Sequence, residues 1–130
     1  MYSHVTVGTN DMERATRFYD AVLGPLGMER HKNYRIAVGY APRGFSGINA
    51  PFWVLRPYNR KEANGGNGPM AAFAADTRAA VDAFYAAAMA NGGTDEGAPG
   101  IRAHYHPNYY GAYVRDPDGN KLCCVCHHAP

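Results

Sequence analysis

Val5-Thr6-Val7-Gly8, followed by Asn10-Asp11-Met12-Glu13-Arg14-Ala15-Thr16-Arg17-Phe18-Tyr19, is the stretch on which the reading of the fold turns. From Tyr2 to Gly8 the pattern alternates and is β-branched at Val5, Thr6 and Val7, which predicts a strand. Asn10, with Glu13 three residues on, carries a helix-start signature: the amide can accept from orphan N–H groups and the carboxylate can reach back. Met12, Ala15, Phe18, Tyr19, Val22 and Leu23 then form one apolar stripe, so the helix runs to about Leu23. Gly24-Pro25 ends it, glycine permitting the left-handed cap and proline refusing to continue. Three strand candidates follow, Met28–Lys32, Arg35–Tyr40 and Phe52–Leu55, with Asn33 turning between the first two. The Gly- and Pro-rich stretch 41–51 reads as a loop.

The same order begins again after residues 59–69, a linker centred on Asn64-Gly65-Gly66-Asn67-Gly68 whose glycines predict flexibility. Met70–Ala75 is strand-like, and Asp76 or Thr77 can cap a helix that reaches about Ala90 and closes at Asn91-Gly92-Gly93. Ile101–Tyr105, Ala112–Arg115 and Lys121–Cys126 supply three more strands, with Asp116-Pro117-Asp118-Gly119-Asn120 a strong turn between the last two. At an offset of 66 residues (84 − 18), Phe18-Tyr19 falls on Phe84-Tyr85, Ala15 on Val81, Asn10 on Asp76 and His4 on Met70. The agreement of element order, caps and aromatic pair reads as an internal duplication: module one at 1–58, the linker at 59–69, module two at 70–130, together one domain over 1–130. The fold class is α+β, two βαβββ modules in tandem.

Composition narrows the function. At 130 residues the chain can bury one core without staples. Thirteen Lys and Arg against eleven Asp and Glu give a net charge of +2, and the basic residues are scattered, which argues against nucleic acid. The start Met1-Tyr2-Ser3-His4 is unlike a signal peptide, and no apolar run approaches the ~18 residues of a membrane span. Cys123, Cys124 and Cys126 are odd in number and clustered, a pattern that suits a reducing cytoplasm rather than disulfide staples.

Ser3-His4-Val5-Thr6-Val7 with the Asn10–Tyr19 segment resembles the opening of a module of the vicinal oxygen chelate superfamily, which groups glyoxalases, bleomycin-resistance proteins and extradiol dioxygenases. Tyr110-Gly111-Ala112-Tyr113-Val114-Arg115-Asp116-Pro117-Asp118-Gly119-Asn120-Lys121-Leu122 is similar to that superfamily's closing hairpin. The resemblance implies that the strands of the two modules form a curved mixed sheet around a pocket, often completed by a second subunit, and hence a homodimer. In metal-dependent members four inward side chains, typically histidine, glutamate or glutamine, hold a divalent ion. Carried over residue by residue, those positions are His4, Trp53, Met70 and Cys123, so one ligand type is retained and Met70 replaces an expected one. Independently, every carboxylate except Glu29 falls outside the predicted strands, leaving a hard cation little oxygen to bind.

His4 is therefore the candidate catalytic residue, as a proton-transfer group, and it and Cys123 are the residual candidates for metal. Trp53, Arg56, Tyr105, His106 and Tyr113 are candidates to line a pocket for planar ligands. Alternation on the last strand puts Cys123 and Val125 on one face and Leu122, Cys124 and Cys126 on the other. Three functions stand against each other. The first is a metal-independent binder of a small aromatic or conjugated molecule, with no cofactor, as in the bleomycin-resistance branch. The second is a metal-dependent lyase, isomerase or dioxygenase, like lactoylglutathione lyase, using His4 with Zn²⁺, Fe²⁺, Mn²⁺ or Ni²⁺. The third is a non-catalytic association protein whose pocket is filled by its own side chains.

Overall fold

A computed structural model describes all 130 residues. Module one runs β1 (Val5–Gly8), α1 (Met12–Leu23), a single 3-10 turn (Gly24–Leu26), β2 (Met28–Tyr34), β3 (Ala37–Pro42) and β4 (Phe52–Leu55). Module two repeats the order with β5 (Ala71–Ala74), α2 (Arg78–Ala90), β6 (Thr94–Ile101), β7 (Tyr110–Arg115) and β8 (Lys121–Cys126). Each module makes its own four-stranded mixed sheet, ordered β1-β4-β3-β2 and β5-β8-β7-β6. In both, the first strand runs parallel to the last and the other pairs are antiparallel.

The two helices pack on each other, and one apolar core is shared by both sheets. Phe18, Tyr19, Val22 and Leu23 of α1 and Val81, Phe84 and Ala88 of α2 are fully buried there. Phe52 and Phe73, from different sheets, meet edge to face with centroids 5.0 Å apart. Each large side chain so buried contributes about 2–3 kcal/mol. Strand parity then fixes what faces away. Val54, Val38, Leu122, Cys124 and Cys126 point at the helices, whereas Thr6, Trp53, Gly39 and Lys32 in one sheet, and Ala72, Cys123 and Tyr113 in the other, occupy the opposite, free faces.

Four local readings are corrected by the structure. The α1 cap is Asp11, whose carboxylate accepts from Arg14 N–H, and its counterpart 66 residues on, Thr77, caps α2. Asn10 instead clasps the linker, its amide donating to the Ala63 carbonyl and accepting the Ala63 N–H, so that segment is strapped down rather than free. The β2–β3 turn is Arg35-Ile36, not Asn33, which lies in the ladder opposite Val38. Finally, Thr94–Ile101 is the strand and 102–105 is not. Thr94-Asp95-Glu96-Gly97-Ala98-Pro99-Gly100 has loop composition, but β6 lies at the sheet edge, where proline forfeits no ladder bond and irregular register is tolerated.

Candidate functional site

The candidate residues divide between the two free faces. On the first, Thr6, Trp53, Gly39 and Lys32 form one cross-strand row and Gly8, Leu55, Ala37 and Tyr34 the next. Trp53 lies across Gly39, where a Cβ would come within 3.0 Å of the indole and 2.8 Å of Ala50. Its Nε1–H donates to the Ala50 carbonyl at 3.0 Å, which pins the ring over Gly39. The Tyr34 ring, more than half exposed, is parallel to it within 3°, centroids 6.4 Å apart. A glycine facing an indole and a second parallel ring make a flat apolar shelf for a planar molecule.

His4 stands just ahead of β1 and is exposed. Its Nδ1 is 2.9 Å from Ser3 Oγ and 3.1 Å from the Asn49 amide nitrogen, which donates to it. An occupied Nδ1 acceptor leaves the proton of the neutral ring on Nε2, so neither nitrogen offers a free lone pair to a substrate. Arg56 follows β4 at the opposite end of the sheet, roughly 15 Å from His4 at the rise of an extended strand.

The second face carries the remaining candidates under a cover. The 102–109 segment folds back so that the Tyr109 ring rests on Gly111, where a Cβ would approach it to 2.9 Å. The hydroxyls of Tyr109 and Tyr113 share a hydrogen bond of 2.8 Å, and Tyr109 Oη is 3.7 Å from the Cys123 sulfur. Cys123 is fully buried, and burial pushes its thiol up despite the hydrogen bonds from the two tyrosines. Burial likewise raises Tyr109. On the helix side, Cys124 is pushed up to about 12, by burial and then by its neighbouring thiols. Arg102 and Lys121 stand 5.6 and 5.8 Å from the Tyr113 ring. Tyr105 is exposed and packs on Tyr109 with centroids 4.7 Å apart. His106 sits beside His127, Nε2 to Nδ1 2.7 Å, and its Nδ1 accepts the Asn108 N–H, which ties the covering segment to the C-terminal tail. Trp53 and Arg56 thus belong to one face, Tyr105, His106, Tyr113 and Cys123 to the other.

A metal ligand set is not assembled. No group of three His, Cys, Asp or Glu side chains is placed so that it could hold a metal ion. His4 is engaged by Ser3 and Asn49, Cys123 by Tyr109, and Met70, at the start of β5, is nearly half exposed and offers only a thioether. The donors present do not fit the divalent ion that the fold suggests.

Three features escaped the sequence reading. Tyr109 was one aromatic among ten tyrosines, and nothing in its local pattern tells that it covers Cys123. Gly39 and Gly111, each inside a strand, did carry a signal, because a mid-strand glycine marks a close approach. The third is a group of cations: Arg35, Arg56, Arg60 and Lys61 line one cleft at the end of the first sheet.

Comparison with known proteins gives a consistent picture. The family model of the glyoxalase/bleomycin resistance protein/dioxygenase superfamily matches residues 2–124. Among solved structures, a glyoxalase/bleomycin resistance protein from Albidiferax ferrireducens T118 is 42% identical, with a TM-score of 0.82 over 100% of this chain and 99% of that one. A glyoxalase/bleomycin resistance protein/dioxygenase family enzyme from Burkholderia phytofirmans PsJN shares the fold at 22% identity, TM-score 0.71, over 97% and 98% of the two chains. Glyoxalase I from Zea mays does so at 21% identity and TM-score 0.73, with 95% of this chain matching 45% of that longer one. A search of curated proteins found no match.

Proposed function

Since the chain belongs to the glyoxalase/bleomycin resistance protein/dioxygenase superfamily, we propose that it is a metal-independent member that binds a small aromatic or conjugated molecule on the Trp53 face. The observation that carries this reading is the exchange of a ligand set for a stacking surface. Where the resemblance expects four metal donors stand His4, Trp53, Met70 and Cys123, while Trp53, laid on Gly39 beside Tyr34, is held flat and accessible. Stacking on such a surface is worth about 1–3 kcal/mol, a factor of about 5–150 in affinity. Turnover by His4, whether as lyase, isomerase or dioxygenase, has less support, because its Nδ1 is already satisfied by Asn49. The reading of a filled, non-catalytic pocket is favoured in module two alone, where Tyr109 occupies the space over Cys123.

The binding unit in this proposal is a homodimer. β1 and β5 are short edge strands, each paired on one side only, and Val5 and Met70 beside them are about 40% exposed (40% and 42%). A second copy set against the free faces would deepen them into cups, as the family resemblance implies. The three free, buried cysteines accord with a reducing compartment such as the cytoplasm, and no helix is long and apolar enough to cross a membrane.

Trp53 is the single tryptophan, so its fluorescence reports on this face alone. Titration with 2-naphthol, followed calorimetrically and by the shift of the Trp53 emission, is expected to saturate, and Trp53→Ala to weaken binding about 10–100-fold. Metal analysis of untagged protein is expected to find less than one ion per ten chains, before and after incubation with Zn²⁺, Mn²⁺, Fe²⁺ and Ni²⁺. Near-stoichiometric metal that disappears in His4→Ala would overturn the proposal in favour of the metalloenzyme.

A further inference from the structure

The cations at the end of the first sheet define what such a ligand must carry. Arg35 lies in the β2–β3 turn, Arg56 directly after β4, and Arg60 and Lys61 in the segment that Asn10 clasps. All four are exposed and border one cleft of about 270 Å³ whose only carboxylate is Glu62. The ion pairs of the chain use Arg14, Arg17, Arg30 and Arg115, so none of the four has a carboxylate partner. Four of thirteen cations therefore border one cleft with a single carboxylate, a local excess of three positive charges in a protein of net charge +2. Like charges held this close repel one another and are relieved by an anion.

The loop that presents them is built rather than loose. The Arg60 N–H donates to the Pro57 carbonyl at 2.8 Å, the Asn59 side chain accepts the Lys61 N–H at 3.0 Å, and Ala63 is buried against Asn10. Arg60 is the one non-glycine residue with positive φ, at 62°, a conformation that costs an arginine about 1 kcal/mol and is kept only where its surroundings enforce it. Three of the cations, Arg35, Arg56 and Arg60, also border a neighbouring hollow of about 530 Å³ lined by Ile36, Leu55 and Tyr58. Leu55 and Ala37 belong to the same free-face row as Tyr34. The hollow that shares these three arginines with the cleft thus reaches the free-face row next to that of Trp53.

We infer that the ligand is an aromatic anion, its planar body on Trp53 and Tyr34 and its carboxylate or phosphate taken by Arg35, Arg56 and Arg60. This rests on the aromatic-binding reading and adds to it the charge class of the molecule. Arginine suits the role because its fork matches both oxyanions in two-point geometry and loses little freedom in doing so.

Calorimetric titration of the full chain with 2-naphthyl phosphate, 2-naphthol and inorganic phosphate separates the parts of the claim. The naphthyl phosphate is expected to bind at least about tenfold more tightly than either of the others. That advantage is expected to vanish in Arg56→Glu/Arg60→Glu and to shrink about tenfold between about 0.02 and 0.5 M salt. Arg17→Glu, a charge change on the exposed face of α1, should leave it in place, and matched thermal melts show that the variants fold. Equal affinity for naphthol and its phosphate would refute the anion requirement while leaving the aromatic shelf standing. Equal affinity for naphthyl and inorganic phosphate would refute the link between cleft and shelf. Failure of both aromatics to bind would remove the aromatic-binding reading and this inference with it.

Discussion

In module one, β2 turns into β3 through Arg35 and Ile36 alone, and Tyr34 and Trp53 stay accessible beyond that turn. In module two the equivalent connection is eight residues long, 102–109, and returns across the strands to set Tyr109 over Cys123. Both sheets have the same strand order, and both place a strand glycine beneath an aromatic ring, Gly39 under Trp53 and Gly111 under Tyr109. The difference is where the ring comes from. Trp53 is part of the sheet it covers, whereas Tyr109 arrives from a loop, bonds to Tyr113 and covers Cys123. Two modules with the same scaffold thus differ in the lengths of their connections, and that difference decides what covers each free face.

Uncovering module two is the strongest way to break this contrast. In the native protein the buried Cys123 thiol ionises above the ordinary range near 8.5, so at pH 7.5 its thiolate fraction is below that of a free cysteine. Tyr109→Ala removes a thiol-lowering hydrogen bond but also the burial that outweighs it, so the pKa should fall and access should open. Alkylation of Cys123 by iodoacetamide, read by peptide mass spectrometry, is expected to accelerate about 100-fold at pH 7.5, and its pH midpoint to move down. A wild-type protein that already reacts like free cysteine would mean that the face is open and the contrast false.

Adding one methyl group to each face tests the next level. Gly39→Ala would crowd an indole pinned by its own hydrogen bond, together with Ala50, and is expected to destabilise by about 2–3 kcal/mol in urea unfolding. Gly111→Ala meets a ring on a loop that can lift, so about 1 kcal/mol is expected, together with faster Cys123 alkylation. Equal losses would show that Tyr109 is as firmly seated as Trp53. The link between the modules should matter to stability but not to the contrast between the faces. Asp118, in the turn of module two, accepts from Thr9 Oγ1, the Asn10 N–H and the partly exposed Arg14 guanidinium of module one. The Asp118 side chain is almost fully buried, so Asp118→Ala is expected to cost about 2–3 kcal/mol and to leave 2-naphthol binding unchanged.

Much of this was legible in the residues. Phe52–Leu55 and Lys121–Cys126 stand where alternation and β-branching predict them, and the split of Cys123 from Cys124 follows from parity alone. β6 was not legible, because Gly97, Pro99 and Gly100 are tolerated only at an edge, and edge position is a property of the finished sheet. The Arg35-Ile36 turn has neither glycine nor asparagine to mark it. The site was read least well. Trp53 and Arg56 could be named, but Arg35 is 21 residues before Arg56 in the chain and 25 before Arg60 (56 − 35, 60 − 35), so their convergence appears only once β3 and β4 are paired.

The closing turn has a consequence for the order in which the molecule is made. Tyr19, wholly buried in α1, donates its hydroxyl to Asp116, and the same turn supplies Asn120, whose amide bonds the carbonyl of Gly8. These partners lie about a hundred residues apart (116 − 19 = 97; 120 − 8 = 112). While the chain emerges from a ribosome, the first module can be synthesised in full and still hold a phenol with no acceptor and a strand end with no donor. Leaving such groups dry is unfavourable, so the first half is expected to stay open until the closing turn is made. Translation arrested before residue 116 should therefore leave both halves exposed to protease, and release of the complete chain should protect them together.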